Sequence, residues 1–324
     1  MKTTPPHFYT LTGNLLAEDT FTFGAWTAGQ TQRAAGASFQ VGGKGINVAK
    51  MLNRLAVPNT ALCFAGGPPG FECTTWLRAQ GFVFAAFPAQ SSTRRGFVVR
   101  SERAAETTFL GPDVPPDAIA VQACADYLDA QPDGHVLALC GSMPGWKGAA
   151  YDGLRAAVER WQNRGIVVAD TYGDALEWTV RQPLALIKIN RTEFDSLVDG
   201  VNVSSDLEAR LSRAAAEWPV LAWVVTDGPR DLWMCEKGGR PARITPPVVR
   251  EVSATGSGDV LFACILHSLY VQQTALRDAV IAALPYASAN AAHPGIAEFP
   301  LPDECGEPNA LVRMFGRSRK GLGN

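Results

Sequence analysis

The repeated alternation of short apolar runs with longer amphipathic segments limits the possible fold of this chain more than any other feature. Runs with the length and composition of buried strands lie at 61–65, 136–140, 166–169, 184–189 and 221–226. Segments with helical periodicity lie between or after them, at 71–80, 116–130, 149–164, 206–217 and 275–292. Strands that are apolar along their whole length need cover on both faces, and the helices can supply it. The pattern therefore predicts an α/β three-layer sandwich around a mostly parallel central sheet.

Two segments, 18–40 and 94–110, interrupt this alternation because they carry β-type residues and turn formers without a helical period. We expect a single α/β domain over residues 1–324, in which these two insertions form one small antiparallel sheet. Such a sheet would act as a lid or as a dimer clasp, and an ordinary edge extension of the main sheet is the alternative. A further hairpin is predicted over 231–245, at the edge of the main sheet.

Composition argues against several classes of function. The formal net charge is −2 and the pI is about 6.1, so we expect no broad surface for nucleic acid or acidic membranes. The sequence contains no apolar run of about 18 residues, so no transmembrane helix is expected. The 7 cysteines are odd in number, widely scattered and without a CxxC pair. This usage indicates a reducing, cytoplasmic environment rather than a disulfide framework.

The segment VGGKGINVAK is the first candidate for chemistry. Gly42 and Gly43 allow a close approach of the backbone that side chains would block. A helix begins inside the segment, and the free N–H groups at its start suit hydroxyls or anions. Lys44 adds a cation, and Asn47 adds an amide that can both donate and accept hydrogen bonds. A plain turn from loop to helix is the alternative interpretation.

The segment VSATGSGDVLF is a second loop that opens onto a helix. Gly256 and Gly258 flank Ser257, and Asp259 follows in the first helical turn. A carboxylate at that position can simply stabilise the helix dipole. Two glycines exceed what capping needs, so we interpret the N–H groups of residues 256–259 as a cradle for a phosphoryl group, with Asp259 as a base. Neither a GK[ST] nor a GxGxxG pattern is present, which excludes a Walker A loop and a dinucleotide-binding turn.

Two buried strands end in polar residues that could serve a nucleotide. The segment LIKINRTEF contains Lys188, Asn190 and Glu193 at a strand end, where ligands bind in open α/β sheets. Asn190 and Glu193 carry oxygens of the kind that Mg²⁺ uses, although they could equally cap a helix. The segment VVTDGPRDL ends another strand, and its candidate pocket residues are Thr226, Asp227 and Gly228. A plain turn is the alternative there.

In this order, the GGKGxN, NxxE and TGSGD elements resemble the motifs of the ribokinase-like (PfkB) family of carbohydrate kinases, over about residues 8–297. The strings GGKGINVAKMLNRL, TRRGFVV and FLGPDV are similar to those of its phosphosugar kinases, such as 1-phosphofructokinases and tagatose-6-phosphate kinases. The resemblance implies a ribokinase-like sandwich with a β lid, ATP and Mg²⁺ as cofactors, and a sugar phosphate as partner. It also implies a possible homodimer through the lid.

The resemblance also implies roles for individual residues. Asp259 would be the base beside an anion hole at Gly256, Ser257 and Gly258, and Mg²⁺ would be held largely through water by Asn190 and Glu193. The ATP-binding residues would be Lys188, Asn190, Thr226, Asp227, Gly228 and Asn290. The substrate-binding residues would be Glu18 or Asp19, Gly42, Gly43, Lys44, Asn47 and Arg94, with Lys44 and Arg94 on the phosphate that the sugar already carries.

The acceptor implied by the resemblance is a phosphorylated ketohexose: fructose 1-phosphate, fructose 6-phosphate or tagatose 6-phosphate. The family's usual TLNPxxD segment, whose Asp holds sugar hydroxyls, reads TLTGNLLAED here. We place Glu18 at the position of that Asp, with Asp19 beside it, and this departure leaves the identity of the sugar open. The alternatives are a kinase for a non-phosphorylated sugar or a nucleoside, and a non-catalytic sugar-phosphate sensor.

Overall fold

The computed structural model describes residues 5–101, 106–198 and 206–301 and contains a large central sheet. In spatial order its strands are β13 (Ala242–Ile244), β12 (Leu232–Glu236), β11 (Ala222–Thr226), β10 (Leu186–Asn190), β9 (Ile166–Thr171), β8 (Val136–Gly141), β1 (Phe8–Thr12), β4 (Asn59–Ala65) and β5 (Phe84–Pro88). All neighbours from β11 to β5 are parallel, and β12 and β13 form an antiparallel hairpin at the edge. The predicted parallel sheet and its edge hairpin are confirmed.

Helices cover both faces of this sheet. They are α1 (Lys44–Arg54), α2 (Gly67–Ala79), α3 (Ala118–Asp129), α4 (Asp152–Gln162), α5 (Asp174–Thr179), α6 (Arg191–Val198), α7 (Leu207–Glu217), α8 (Ser257–Tyr270) and α9 (Leu276–Ala291). Alternate strand residues belong to different cores. Val136 and Ala138 pack in the cluster that contains residues of α1, α8 and α9, whereas Leu137 and Leu139 pack in the cluster that contains residues of α3, α4 and α7. The fold is thus the expected three-layer sandwich.

The smaller sheet, called the lid sheet below, consists of β3 (Gly36–Gly42), β2 (Leu16–Phe23), β6 (Arg94–Ser101) and β7 (Thr107–Leu110), in that order. Each predicted insertion forms an antiparallel pair, β2 with β3 and β6 with β7. The two pairs meet along β2 and β6, which are parallel. This pairing has a topological cause: β2 follows β1 and β6 follows β5, and those two parallel strands of the main sheet end at the same edge.

The lid sheet has two different faces, because side chains alternate along a strand. Glu18, Thr20 and Val98 are buried on one face. Phe97 and Phe109 are cross-strand neighbours on the other face, where they remain 42% and 53% exposed. Within the described ranges, no helix combines the length and the apolar character needed to cross a membrane. The prediction of a single domain over the whole chain stays a prediction.

Candidate active site

The carboxyl edge of the main sheet gathers the polar residues that follow its buried strands. Asp170 lies near the end of β9 and Lys188 near the end of β10, and both are almost completely buried. Thr226 ends β11 directly opposite Asn190 of β10. The helices α1, α6 and α8 begin at this same edge, so their N-termini and the strand ends surround one cleft.

A chain of alternating charges occupies the middle of this cleft. Lys188 donates from Nζ to Oδ2 of Asp170 at 2.6 Å, and Lys44 donates from Nζ to Oδ1 of the same carboxylate at 2.7 Å. Lys44 also pairs with Oε1 of Glu193 at 3.1 Å. Burial opposes the ionisation of Asp170, but Lys188 and Lys44 hold its pKa below the ordinary value. Burial likewise opposes the charge on Lys44, but Asp170 and Glu193 raise its pKa.

Asp170 was not among the residues identified from the sequence. A signal for it exists, because this acidic residue directly follows the apolar run IVVA of a predicted strand. A carboxylate in that position must lie at the carboxyl edge of a parallel sheet, where ligands bind. Its buried position between two lysines makes it the electrostatic centre of the cleft.

Asp259 lies in the first turn of α8 and is also buried. Its Oδ2 accepts a hydrogen bond from Nδ2 of Asn47 at 2.7 Å. Burial and the nearby charge of Asp170 raise the pKa of Asp259 to about 6, against the opposing effect of Lys44 and Lys188. A carboxylate with this pKa is mostly ionised at neutral pH and close to the range in which a side chain works best as a general base.

Gly256 and Gly258, at the start of α8, both leave room that neighbouring groups occupy. Gly256 is the N-cap and has a φ of +75°, and a Cβ there would lie 2.5 Å from Cγ2 of Ile296. A Cβ on Gly258 would lie 2.7 Å from Nζ of Lys188. The N–H of Ser257 donates to the carbonyl of Ala254 at 3.2 Å. It therefore closes a turn, and the predicted anion-binding role falls to the other N–H groups of the loop.

The start of α1 places the other glycine motif against the same cleft. Gly43 has a φ of +123°, and a Cβ on Gly45 would lie 2.4 Å from Oγ1 of Thr12 at the end of β1. The absence of a side chain at Gly45 therefore lets the start of α1 approach the end of β1. Lys44 and Asn47 are three residues apart and project from one side of the helix, so one reaches Asp170 and the other reaches Asp259.

The two residues predicted to bind the sugar phosphate have separate partners. Arg94, on β6, pairs from Nη1 with Oδ1 of Asp113 at 2.7 Å. Asn14 donates to that same oxygen of Asp113 at 2.8 Å. Lys44 pairs instead with Asp170 and Glu193. The convergence of Arg94 and Lys44 on one phosphate stays a prediction. It requires Arg94 to exchange its ion pair with Asp113 for the phosphate.

The lid sheet separates the two candidates for binding sugar hydroxyls. Glu18 is buried on one face and accepts a hydrogen bond from Gln40. A Cβ on Gly42 would lie 3.4 Å from Oε2 of Glu18, which places the carboxylate beside the first glycine motif. Asp19 points to the opposite face, where it pairs with Arg95 at 3.0 Å. Asp19 is therefore removed from the predicted substrate-binding residues, because neighbouring residues on a strand face opposite ways.

Asn190 and Glu193 form a reciprocal cap at the start of α6. Oδ1 of Asn190 accepts from the N–H of Glu193 at 2.8 Å, and Oε2 of Glu193 accepts from the N–H of Asn190 at 2.8 Å. The capping interpretation is thus correct for Asn190, whose side-chain oxygen is occupied by the helix. The other oxygen of Glu193 faces Lys44.

Two residues predicted on the nucleotide side have structural partners. Asn290 is completely buried, donates to the carbonyl of Thr255 and to Oγ of Ser257 at 3.0 Å each, and accepts from the N–H of Ala297 at 2.7 Å. The predicted contact of Asn290 with adenine is therefore wrong, and this residue braces the loop before α8. Asp227 pairs with Arg230 in the turn after β11, where Gly228 has a φ of +58°.

The carboxylates in the cleft could supply part of the coordination of a magnesium ion, with water and phosphate oxygens as the rest. Within the described ranges, no group of three or more His, Cys, Asp or Glu side chains could enclose a metal ion. Asp170 and Glu193 nevertheless share one ammonium partner in Lys44, so two carboxylates already face one cationic position. Mg²⁺ commonly takes one or two carboxylates together with water and phosphate oxygens. The residues present fit that mode of binding.

Comparisons with known proteins show the family and the fold of this chain. A family profile described as pfkB family carbohydrate kinase matches residues 16–304. A 1-phosphofructokinase from Rhodobacter capsulatus is 28% identical over 266 residues, which cover 80% of this chain and 82% of that protein. The structure of phosphofructokinase-2 from Escherichia coli in complex with substrates and products has a TM-score of 0.81 at 22% identity, covering 96% of this chain and 100% of that chain. A ribokinase from Thermotoga maritima has a TM-score of 0.73 at 17% identity, covering 96% and 100%.

Proposed function

Because the chain belongs to the pfkB family of carbohydrate kinases, we propose that it transfers the γ-phosphoryl group of ATP to a hydroxyl of a phosphorylated ketohexose. The candidate acceptors are fructose 1-phosphate, fructose 6-phosphate and tagatose 6-phosphate. One observation carries the proposal: buried Asp259, at the start of α8, lies beside the Lys44–Asp170–Lys188 charge chain and accepts from Asn47. The similarity to a 1-phosphofructokinase supports a phosphosugar as the substrate class.

In the proposed mechanism, Asp259 takes the proton of the attacking hydroxyl. Asn47 holds the carboxylate in place through Oδ2, so Oδ1 is the oxygen assigned to the substrate. The transition state of phosphoryl transfer is loose, and its catalysis depends mostly on positioning and on neutralising charge. A base with a pKa of about 6 therefore needs only to be ionised and correctly placed when the proton leaves.

The charge on the transferring group is met by cations and main-chain donors. The N–H groups of Gly258 and Asp259 lie at the positive end of α8, where anions are stabilised. Lys188 is next to Gly258 and would neutralise the phosphates of ATP. Asp170 and Glu193 would hold Mg²⁺, which supplies charge neutralisation on the phosphates when it is bound. Thr226, Asp227 and Gly228 would line the side of the cleft that takes the nucleoside.

The lid sheet would provide the sugar site. Glu18 faces the first glycine motif and would accept hydrogen bonds from sugar hydroxyls. Arg94 and Lys44 would hold the phosphate on the sugar, the arginine with two parallel hydrogen bonds and the lysine as a point charge. The exposed aromatic face of the lid sheet, where Phe21 and Phe97 stack with their ring centroids 6.1 Å apart, supports a homodimer as part of the proposal.

A panel of acceptors tests the proposed function. Purified protein with Mg²⁺ and ATP is offered fructose 1-phosphate, fructose 6-phosphate, tagatose 6-phosphate, ribose and adenosine, and ADP release is followed by a coupled assay. We expect turnover with one or more of the sugar phosphates. Turnover with ribose or adenosine alone would replace the proposal by the free-sugar or nucleoside kinase, and turnover with none would favour a sugar-phosphate sensor.

Arg94→Ala separates a phosphate-binding arginine from a merely structural one in the same panel. We expect KM for the best sugar phosphate to rise about 100-fold, in line with the cost of removing one partner of a charge-assisted contact. For the free sugar, which lacks the phosphate, KM should rise much less. An equal rise in KM for the sugar phosphate and the free sugar would contradict the assigned role of Arg94.

A further inference from the structure

One carboxylate of the lid sheet makes direct contact with the loop that precedes α8. Glu106 lies just before β7, and its Oε1 accepts hydrogen bonds from Oγ of Ser253 and Oγ1 of Thr255, at 2.9 Å each. Its Oε2 accepts from Nε of Arg100 on β6 at 2.7 Å. A single side chain therefore connects the second hairpin of the lid sheet with two residues of the loop that precedes Gly256.

The loop itself has few other attachments among the described residues. Val252 and Ser253 donate their N–H groups to the carbonyl of Ala291 at the end of α9. On the same side, Asn290 donates to the carbonyl of Thr255. These hydrogen bonds all come from α9, and Glu106 adds a contact from the lid sheet. The loop is thus held between the main body of the protein and the lid sheet.

The chemistry of the Glu106 contacts favours a rigid connection. Burial would raise the pKa of Glu106, but the hydrogen bonds from Arg100, Ser253 and Thr255 lower it below the ordinary value. The acceptor is therefore an ionised carboxylate, and hydrogen bonds to ionised groups are roughly twice as strong as neutral ones. Both hydroxyl hydrogens of the loop point at the same oxygen, which fixes the rotamers of Ser253 and Thr255 together.

We propose that Glu106 is a positioning residue for phosphoryl transfer: it couples the docked lid sheet to the loop 253–256 and so fixes the N–H groups of α8 and the carboxylate of Asp259 relative to the bound sugar. This inference rests on the proposed function. The lid sheet carries the sugar-site residues Glu18 and Arg94, whereas α8 carries the base. A link between these two elements sets the distance between acceptor hydroxyl and base, and an error of about 1 Å in such a distance costs on the order of 100-fold in rate.

The first test compares Glu106→Ala and Glu106→Gln with the control Glu72→Gln. Glu72 also accepts from an arginine of the lid sheet, Arg95, but this arginine lies on the opposite face, where it also pairs with Asp19. We expect Glu106→Ala to lower kcat about 10- to 100-fold while KM for the sugar phosphate stays within about 3-fold. Glu106→Gln should lower kcat less, because its amide oxygen still accepts from the two hydroxyls. Glu72→Gln should keep kcat within about 2-fold.

A coupling measurement distinguishes positioning from a general loss of structure. In a variant that combines Ser253→Ala with Thr255→Val, the hydroxyls that Glu106 holds are absent. Adding Glu106→Ala to that variant should lower kcat by less than about 3-fold further, since residues that act as one unit are not additive. A full additional loss would overturn the proposal, as would an unchanged kcat in Glu106→Ala.

Hydrogen exchange gives a readout that does not need turnover. In the ligand-free protein, Glu106→Ala should speed amide exchange in peptides that cover residues 252–262, whereas Glu72→Gln should leave those peptides unchanged. If exchange there is unaffected by Glu106→Ala, the positioning role is wrong whatever the substrate. If exchange rises but the unaltered protein phosphorylates no acceptor in the panel, the proposed function fails while the link from the lid sheet to the loop stands.

Discussion

Asp170 and Asp259 are both buried at the same sheet edge, yet their surroundings give them opposite properties. Lys188 and Lys44 each donate directly to Asp170 and hold its pKa down despite burial. The side chain of Asp259 accepts from a neutral donor, Asn47, and burial together with the charge of Asp170 raises its pKa to about 6. Environments that push the pKa values of two carboxylates apart are typical of sites where one carries charge and the other moves a proton.

Replacement of Asp259, the proposed base, gives the most direct prediction at this scale. Asp259→Asn keeps the shape of the side chain but cannot accept the hydroxyl proton, so kcat should fall about 10²- to 10⁴-fold. KM for the sugar phosphate should change little, because Glu18 and Arg94 are untouched. Steady-state kinetics with a coupled ADP assay measures both constants. Turnover close to that of the unaltered protein would exclude Asp259 as the base.

The same substitution should stabilise the protein, with a defined dependence on pH. The pKa of Asp259 is about 6 in the folded protein, above its ordinary value of 3.8, so ionisation destabilises the fold by up to about 3 kcal/mol. This cost is complete well above pH 6 and disappears as the pH falls from about 6 to below 4. Asp259→Asn should therefore raise Tm more at pH 8 than at pH 4.5. An equal change in Tm at both pH values would contradict the raised pKa.

The sequence reveals those site residues that lie close to other recognisable features along the chain. Lys44, Asn47 and Asp259 stand out because glycines and a helix start surround them. The position of Asp170 after a predicted strand indicates the sheet edge, but its pairing with Lys44, 126 residues away, cannot be read from the sequence. The contact between Glu106 and Ser253 spans 147 residues and is hidden in the same way. Asn290 was assigned wrongly for the same reason, since its burial under the loop before α8 cannot be read from its neighbours in sequence.

At the scale of elements, the start of α8 offers a prediction that separates activity from stability. A Cβ in Gly258→Ala would lie 2.7 Å from Nζ of Lys188. The flexible end of the lysine can move aside, so the fold should tolerate the change. Moving Nζ weakens its 2.6 Å contact with Asp170, which keeps Lys44 as a second partner, and it takes the charge away from the proposed position of the phosphates. We expect kcat to fall at least 10-fold, in keeping with the loss of one charge-stabilising contact, while Tm changes by only a few degrees.

Gly24→Ala is the matched control for this change, because a Cβ there meets nothing within 4 Å. It should leave both kcat and Tm unchanged. If Gly258→Ala retained full activity, Lys188 would not act on the nucleotide. If it lowered kcat only in proportion to a large loss of Tm, the effect would be one of folding rather than of the displaced lysine.

The sequence predicts the ends of long helices with a clear period, but it does not predict short strands of mixed composition. The helices predicted at 116–130 and 206–217 end within two residues of α3 and α7. The strands β1 and β5 were not predicted, since FYTLT mixes polar threonines into its run and FAAFP ends in proline. The parallel contact between β2 and β6 was also unforeseen. It follows from the direction in which β1 and β5 leave the main sheet, which is a property of the topology.

At the scale of the whole molecule, the topology explains how motifs from distant parts of the chain form one cleft. All the parallel strands end at the same edge, and α1, α6 and α8 begin there. The two hairpins of the lid sheet leave from that edge as well, which brings Glu106 to the loop before α8 and Glu18 to the start of α1. The sandwich could be predicted from the alternation of elements, but the meeting of lid sheet and loop could not, because it depends on how far each insertion extends.

The face of the lid sheet opposite to Glu18 leads to a prediction about assembly. Phe21 and Phe97 stack on that face, and Phe97 and Phe109 stay 42% and 53% exposed. Exposed aromatic clusters of this kind are typical of protein–protein interfaces, so we expect the unaltered chain to be a dimer by light scattering at micromolar concentration. The double variant Phe97→Glu, Phe109→Glu should be a monomer, because dimerisation would bury unpaired charges. Ile119→Glu, on the exposed side of α3, is the control and should stay dimeric. A monomeric unaltered chain, or a dimer that survives both glutamates, would show that the lid sheet pairs with no second copy.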